Sequence, residues 1–372
     1  MQNNPFQLTI ATGRGFCNRT EEKELICNNM RSGIHTVVYA PRRYGKSSLS
    51  MEVETMLPEM TCIRADLLSV TSSEDVAEKL YQAIVSALGR KATDKLSLAS
   101  RIMSFFKRLR LTIEINATTS LPEFSVSLGE DSSKNHLEHI IGSLDSYCAD
   151  QGIKICLVLD AFQEICELKD SKTVEALLRG GMQVAKNISF LMMGSRRTIL
   201  RDMFEDRKRP FYKSAYVLPL KRISTEEFAP FLVSRFALYG LCMPEQVAVD
   251  MVEYVDAYPY YVQKLAMICF NMQDMSNEGV EAAKETLLAM ESADFEAQYI
   301  SLTNHQKRLL RAIARHNPTS IFSQEFLKIA RLGSQGGVQT SISKLKKMDM
   351  VENKDNAWKV VDPLLAKWLL KP

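Results

Sequence analysis

An α/β domain built on a parallel sheet flanked by helices, followed by an all-helical segment and a C-terminal winged helix, is the fold class that the sequence predicts. Three patterns predict it. Through most of the first three hundred residues, short β-branched or apolar runs alternate with longer helical patterns, the rhythm of a parallel sheet covered by helices. From Ser224 to Ala293 the period is helical throughout, with apolar positions three and four residues apart in segments such as Glu226 to Tyr239 and Val280 to Ser292. From Leu302 onward, the order helix, helix, glycine-rich turn, helix and two β-like runs is that of a winged helix-turn-helix.

Strands are expected near His35 to Ala40, Met60 to Ala65, Lys154 to Asp160, Ser189 to Met193 and Ala215 to Leu218. Parallel strands present ligand-binding residues at their carboxyl ends, so Ala40, Asp160 and Gly194 should meet along one edge. Between about Arg90 and His136 the rhythm breaks. There Leu111 to Asn116 and Phe124 to Leu128 alternate with period two about a polar, proline-containing turn, which reads as a hairpin inserted at about 108–129. In the last unit helices are expected over Asn304 to Arg315, Ser323 to Ala330 and Val338 to Met348. A turn is expected at Gly333-Ser334-Gln335-Gly336-Gly337, and β structure at Met350 to Glu352 and Ala357 to Val361. The expected division is a core at 1–222, a helical lid at 223–298 and a winged helix at 299–372.

The composition, 46% apolar and 24% charged over 372 residues, is that of a globular protein and excludes fibrous and disordered classes. No run of about 18 apolar residues occurs, so no membrane partner is expected. The N-terminus lacks the basic and apolar regions of a secretory signal, which makes the expected location cytoplasmic. The eight cysteines are scattered without a C-x-x-C pair and read as small buried hydrophobes in a reducing compartment. The net charge of +3 is unevenly placed: from Ser301 to Pro372 thirteen Lys/Arg face five Asp/Glu, so this tail carries +8 and the rest −5.

The strand-like Thr36-Val37-Val38-Tyr39 runs into Ala40-Pro41-Arg42-Arg43-Tyr44-Gly45-Lys46-Ser47-Ser48 and then into a helical pattern. That is a phosphate-binding loop. Backbone N–H groups line it, a helix N-terminus stands behind it, Lys46 reaches the β- and γ-phosphates, and the Ser47 hydroxyl binds Mg²⁺. The class implied is the P-loop NTPases, with ATP and Mg²⁺ as ligands. Ala40 stands where the pattern has its first glycine, which is tolerable at negative φ. Cys156-Leu157-Val158-Leu159-Asp160 supplies the second requirement, a carboxylate at a strand end that approaches the metal through water, so Ser47 and Asp160 are the metal candidates. Many P-loop ATPases place a glutamate directly after that aspartate to activate the attacking water. Here the position is Ala161, with Gln163 and Glu164 offset beyond it, and slow or absent hydrolysis is expected. Phe190 to Met193 delivers Gly194-Ser195-Arg196-Arg197 to the same edge. Ser195 would sense the γ-phosphate and Arg196 or Arg197 would neutralise phosphate charge, unless these basic residues only cap a helix that begins near Thr198.

These motifs, with three others, resemble the archaeal-type ATPase family in the STAND branch of the AAA+-related P-loop proteins. Phe16-Cys17-Asn18-Arg19-Thr20-Glu21-Glu22 is similar to its F-x-x-R-x-x-E leader, Asp256-Ala257-Tyr258-Pro259 to its G-x-P segment and Asp362-Pro363-Leu364-Leu365-Ala366-Lys367-Trp368 to its winged-helix ending. The resemblance implies that Phe16, Arg19 and Pro259 border the nucleotide, with Pro259 near adenine, and that the nucleotide lies between core and lid. Ser214 falls where relatives often have an arginine, which argues against an arginine finger there. Two functions fit: a nucleotide-controlled switch, or an active ATPase motor or remodeller in which Arg207-Lys208-Arg209 line a nucleic-acid path, unless that stretch is only a solvated loop. For the partner, Gln335, Gln339, Thr340, Ser343, Lys344, Lys346 and Lys347 suit DNA through phosphate and base-edge contacts. A protein-docking or self-association surface, as in a homo-oligomer, fits the same residues.

Overall fold

The computed structural model describes residues 4–6, 8–90, 113–116, 123–126 and 133–371. The chain forms two compact units, one of Thr20–Ala40 and Leu49–Leu220, the other of Met1–Arg19, Pro41–Ser48 and Lys221–Pro372.

The first unit carries a five-stranded parallel sheet in the order β2-β5-β6-β1-β7. The strands are β1 (Thr36–Tyr39), β2 (Met60–Asp66), β5 (Lys154–Asp160), β6 (Ile188–Gly194) and β7 (Tyr216–Pro219). Between β2 and β5, β3 (Ile113–Asn116) and β4 (Glu123–Val126) pair antiparallel. The β5 and β6 runs are apolar without alternation because both faces of an inner parallel strand are covered, and β6 is buried at every position. Helices α1 (Thr20–Arg31), α3 (Ser73–Arg90), α4 (Ser133–Gln151), α5 (Ser171–Val184) and α6 (Arg197–Glu205) accompany the sheet. On α3, Val76, Ala77, Leu80, Tyr81, Ile84, Ala87 and Leu88 form one apolar stripe, which packs with Ile141 and Leu144 of α4 and Val37, Ile63, Leu157 and Phe190 of the sheet. Register pairs Tyr39 with Gly194 and Asp66 with Asp160, so the carboxyl ends lie along one edge, and the Ala40 N–H donates to Gly194 O at 3.4 Å.

The second unit contains α7 (Thr225–Ala237), α8 (Glu245–Tyr254), α9 (Pro259–Met272) and α10 (Asn277–Ile300). The winged helix follows, with α11 (Asn304–His316), α12 (Gln324–Ile329), α13 (Gln335–Lys347), the hairpin β8 (Val351–Lys354) and β9 (Ala357–Val360), and α14 (Pro363–Leu370). The helix spanning Lys46–Thr55, α2, starts on the phosphate loop. A capping box fixes the start of α11: the Thr303 Oγ1 accepts from Gln306 N and the Gln306 side chain accepts from Thr303 N. One expectation is corrected here. The turn expected to extend to Gly337 stops at Ser334, because the Ser334 Oγ accepts from Gly337 N at 3.2 Å and so starts α13 at Gln335, with Gly336 and Gly337 inside its first turn.

Candidate functional site

The phosphate loop takes its shape from two left-handed residues, Arg43 at φ 62° and Gly45 at φ 83°. Gly45 adopts this conformation without cost, and open space surrounds the position where a Cβ would stand. Ala40 has no positive φ, so its methyl is accommodated and is 1% exposed. The loop's lysine is buried, and the Lys46 Nζ donates to Pro41 O at 2.8 Å, which spans the loop with an ammonium group. The Ser48 hydroxyl accepts from the Ala11 N–H at 3.0 Å, fastening the N-terminal segment to the loop.

Ala11, Arg43, Gly45, Lys46 and Ser48 border a cleft of about 410 Å³, within the usual span for small-molecule sites. The N-terminal segment lines it with Leu8–Ala11, Gly15–Cys17 and Arg19, the loop with Arg43–Ser48, and the helical segment with Ile223, Phe228, Pro259, Tyr260 and Gln263. Of the residues expected from the sequence, Phe16, Arg19, Arg43, Tyr44, Gly45, Lys46, Ser47, Ser48 and Pro259 therefore meet at one cleft. Pro41 and Arg42 shape the loop through their carbonyls without lining that cleft. Arg19 is left-handed at φ 65° and its guanidinium donates to Lys221 O at 2.5 Å, which ties the leader to the start of the helical segment. Burial pushes the Cys17 thiol up to about 12, so it contributes a neutral wall. Sequence reasoning missed Leu8, Ile10, Ile223, Phe228, Tyr260 and Gln263. Only the Leu-x-Ile alternation ahead of the leader signals any of them.

The loop is also bound to the helices by contacts that no motif marks, some of them made by residues inside the G-x-P and winged-helix segments. The Tyr258 hydroxyl donates to Arg42 O at 2.5 Å, its ring meets Tyr44 edge-on at 4.8 Å, and the Arg222 Nε donates to the Tyr44 hydroxyl at 3.0 Å. Arg222 also pairs with Asp256. The Arg43 guanidinium lies 4.3 Å over the Tyr260 ring and 3.3 Å from Glu291, whose buried carboxylate also pairs with Lys264. From Tyr258 the chain of contacts continues to Tyr261 at 5.0 Å between rings, and the Tyr261 hydroxyl donates to Asp362 Oδ2 at 2.6 Å. The other oxygen of Asp362 accepts from the N–H groups of Leu364 and Leu365 and caps α14. Burial holds the Tyr258 and Tyr261 hydroxyls far above the ordinary phenol range, which keeps both as donors. It also pushes the Asp362 carboxyl up, against the opposing effect of the Tyr261 hydrogen bond.

In the sheet unit, Asp160 ends β5 and its Oδ1 accepts from the Ala161 N–H at 2.8 Å. Ala161 is left-handed at φ 52° and opens a 3-10 turn over Phe162–Glu167. That turn buries Gln163, whose Oε1 accepts from the Ser195 N–H at 3.2 Å and whose Nε2 donates to Glu164 at 2.9 Å. A Cβ on Gly194 would stand 1.9 Å from that Oε1, so glycine is required for the close approach. Arg196 pairs with Glu167 at 2.7 Å, and Arg197 begins α6, one residue before the expected start at Thr198. Arg209 does not line an open path: its guanidinium donates to the fully buried Glu175 at 2.5 Å and to Cys166 Sγ at 3.0 Å.

On α13, Gln335, Gln339, Thr340, Ser343, Lys344 and Lys347 share the exposed face, while Val338, Ile342 and Leu345 are buried behind them. Several of the polar groups are already committed. Gln335 donates to Phe322 O, the Thr340 and Ser343 hydroxyls bond back to their own helix, and the Lys346 ammonium sits 5.7 Å from the centre of the Trp358 ring.

A family described as "Probable winged helix domain" matches residues 293–371. Among solved structures, the fold is similar to a Walker-type ATPase of Pyrococcus abyssi, at a TM-score of 0.71 and 19% identity over 96% of this chain and 97% of that one. It is also similar to the ORC2 protein of Aeropyrum pernix in its ADPNP–ADP complexes, at a TM-score of 0.56 and 14% identity over 94% and 92%. No curated protein matches the sequence. This chain thus has the fold of the archaeal P-loop ATPases, a parallel sheet flanked by helices with a winged helix at its C-terminal end. Among the described residues no helix is long and apolar enough to cross a membrane.

Proposed function

We propose that this chain is an ATP-binding switch of the STAND/AAA+ type, in which MgATP between the phosphate loop and the helical lid controls the surface of the winged helix. The observation that carries the proposal is the unbroken run of contacts Arg42–Tyr258–Tyr261–Asp362, which joins the loop's backbone to the cap of α14. A ligand that moves the loop acts directly on that run. The cleft suits a nucleotide because Lys46 and Arg19 supply positive charge and Ile10, Ile223, Phe228 and Pro259 supply apolar wall. Mg²⁺, when bound, would supply charge neutralisation for the phosphates, and the residues proposed to hold it are Ser47 through its hydroxyl and Asp160 through water.

Hydrolysis is slow in this reading because Ala161 carries no group able to accept a proton from water. The partner surface is the exposed face of α13, and its lysines fit a phosphate backbone. DNA binding of this kind weakens steeply as salt rises, whereas salt-insensitive self-association would assign the face to protein docking. Calorimetry with the native chain and Lys46→Ala tests nucleotide binding, and single-turnover kinetics with Ala161→Glu test the missing base. The expected results are tight MgATP binding lost in Lys46→Ala, and a gain in hydrolysis of about 10²-fold or more in Ala161→Glu. Native turnover at several per second would overturn the switch reading in favour of a motor.

A further inference from the structure

A nucleotide whose phosphates occupy the loop must place its base against the remaining wall of the cleft, where the polar side chains are Thr9, Arg19, Tyr260 and Gln263, and of these Gln263 alone carries a donor and an acceptor on adjacent atoms. Leu8, Ile10, Ile223, Phe228 and Pro259 offer surface for a flat ring but no hydrogen bond that distinguishes one base from another. Gln263 lies one helical turn after Pro259 on α9, so the two share a face, and both border the cleft. Its half-buried carboxamide makes no hydrogen bond to another described residue. By contrast, the amides of Gln163, Gln306 and Gln335 are each bonded within the protein.

Resting on the nucleotide-binding reading above, we infer that Gln263 is the base-specificity residue of this cleft and selects adenine over guanine. A carboxamide presents an acceptor and a donor side by side. On its N7 edge adenine offers the complement, the N6 amino donor beside the N7 acceptor, and pairs with both. Guanine offers two acceptors on its corresponding edge, O6 and N7. Only the NH₂ of the amide can pair there, and the amide oxygen faces a lone pair. Specificity arises because one orientation of one side chain satisfies two atoms of adenine and one of guanine.

The test is calorimetric titration of the native chain, Gln263→Leu and Gln263→Glu with MgATP, MgGTP and inorganic tripolyphosphate. Tripolyphosphate reports the phosphate loop alone, and therefore also reports that each variant is folded. The native chain is expected to bind ATP at least about tenfold more tightly than GTP. Gln263→Leu is expected to lose that ratio and to bind tripolyphosphate as the native chain does. Gln263→Glu keeps an acceptor for the N6 amino group but sets a carboxylate oxygen against the ring nitrogen's lone pair, and should also weaken ATP. An ATP/GTP ratio unchanged by Gln263→Leu, or equal losses for ATP and tripolyphosphate, overturns the inference and leaves nucleotide binding standing. Failure of the native chain to bind either ATP or tripolyphosphate overturns both.

Discussion

Two alanines sit in left-handed backbone at positions where their motifs bear on function. Ala161 at φ 52° follows the strand-end aspartate, and Ala257 at φ 50° stands at the glycine of the G-x-P pattern. A Cβ in this region costs about 1–2 kcal/mol, which glycine avoids at the expense of greater freedom in the unfolded chain. The Ala257 N–H donates to Val252 O at 2.8 Å, so the conformation closes α8 and sets the start of α9, which Tyr258 precedes as N-cap and which carries Pro259 and Gln263. Ala257→Gly is therefore expected to stabilise the protein by about 0.5–1 kcal/mol in chemical denaturation without altering the cleft. A destabilised variant would show that the alanine methyl, 8% exposed, contributes more by packing than it costs in strain.

At the scale of elements, the sheet was legible because β-branched and apolar runs of strand length stood between turn signals, and the phosphate loop because its spacing is demanded by the chemistry of phosphate. The start of α13 was not, since glycine-rich sequence signals a turn locally and only the Ser334 cap reverses it. Contacts such as Arg43–Glu291 and Tyr261–Asp362 were invisible for a different reason: each joins residues far apart in sequence, a loop or cap residue to a helix whose pattern is that of an ordinary amphipathic helix. Another long-range contact is made by His35, just before β1. Its Nδ1 accepts from the Phe190 N–H of β6 and its Nε2 faces Met182 O in α5, both at 3.3 Å, which assigns the neutral ring with the proton on Nε2. Burial lowers its pKa, with the charge of Arg179 adding to the effect and the Met182 carbonyl opposing it. A base whose folded pKa is depressed stabilises the fold above its unfolded pKa, about 6.5, and loses that contribution as pH falls through the folded value. The melting temperature should accordingly drop between pH 7 and pH 5, more steeply in the native chain than in His35→Phe. Equal slopes would place the acid sensitivity elsewhere.

For the whole molecule, the phosphate loop, the helices after it and the winged helix fall in one compact unit, and in the proposed switch this would give a nucleotide a short mechanical path to the winged-helix surface. Every step of that path is a hydrogen bond or ring contact that a single substitution removes. Tyr261 is the critical link, since its hydroxyl reaches the Oδ2 of Asp362 while the Oδ1 continues to cap α14 through Leu364 and Leu365. Tyr261→Phe keeps the ring against Tyr258 and deletes only the bond to the winged helix, a hydrogen bond to a charged group worth about 1.5–3 kcal/mol. Hydrogen exchange measured with and without MgATP separates coupling from binding. The native chain is expected to gain protection across α11 to α14 when nucleotide binds. In Tyr261→Phe the ATP affinity should stay within about threefold while that distal protection disappears, because the nucleotide then has no differential contact through which to bias the winged helix. Protection that survives in the variant would move the coupling to the Arg43–Glu291–Lys264 cluster, the other route by which the phosphate loop is fastened to the helices.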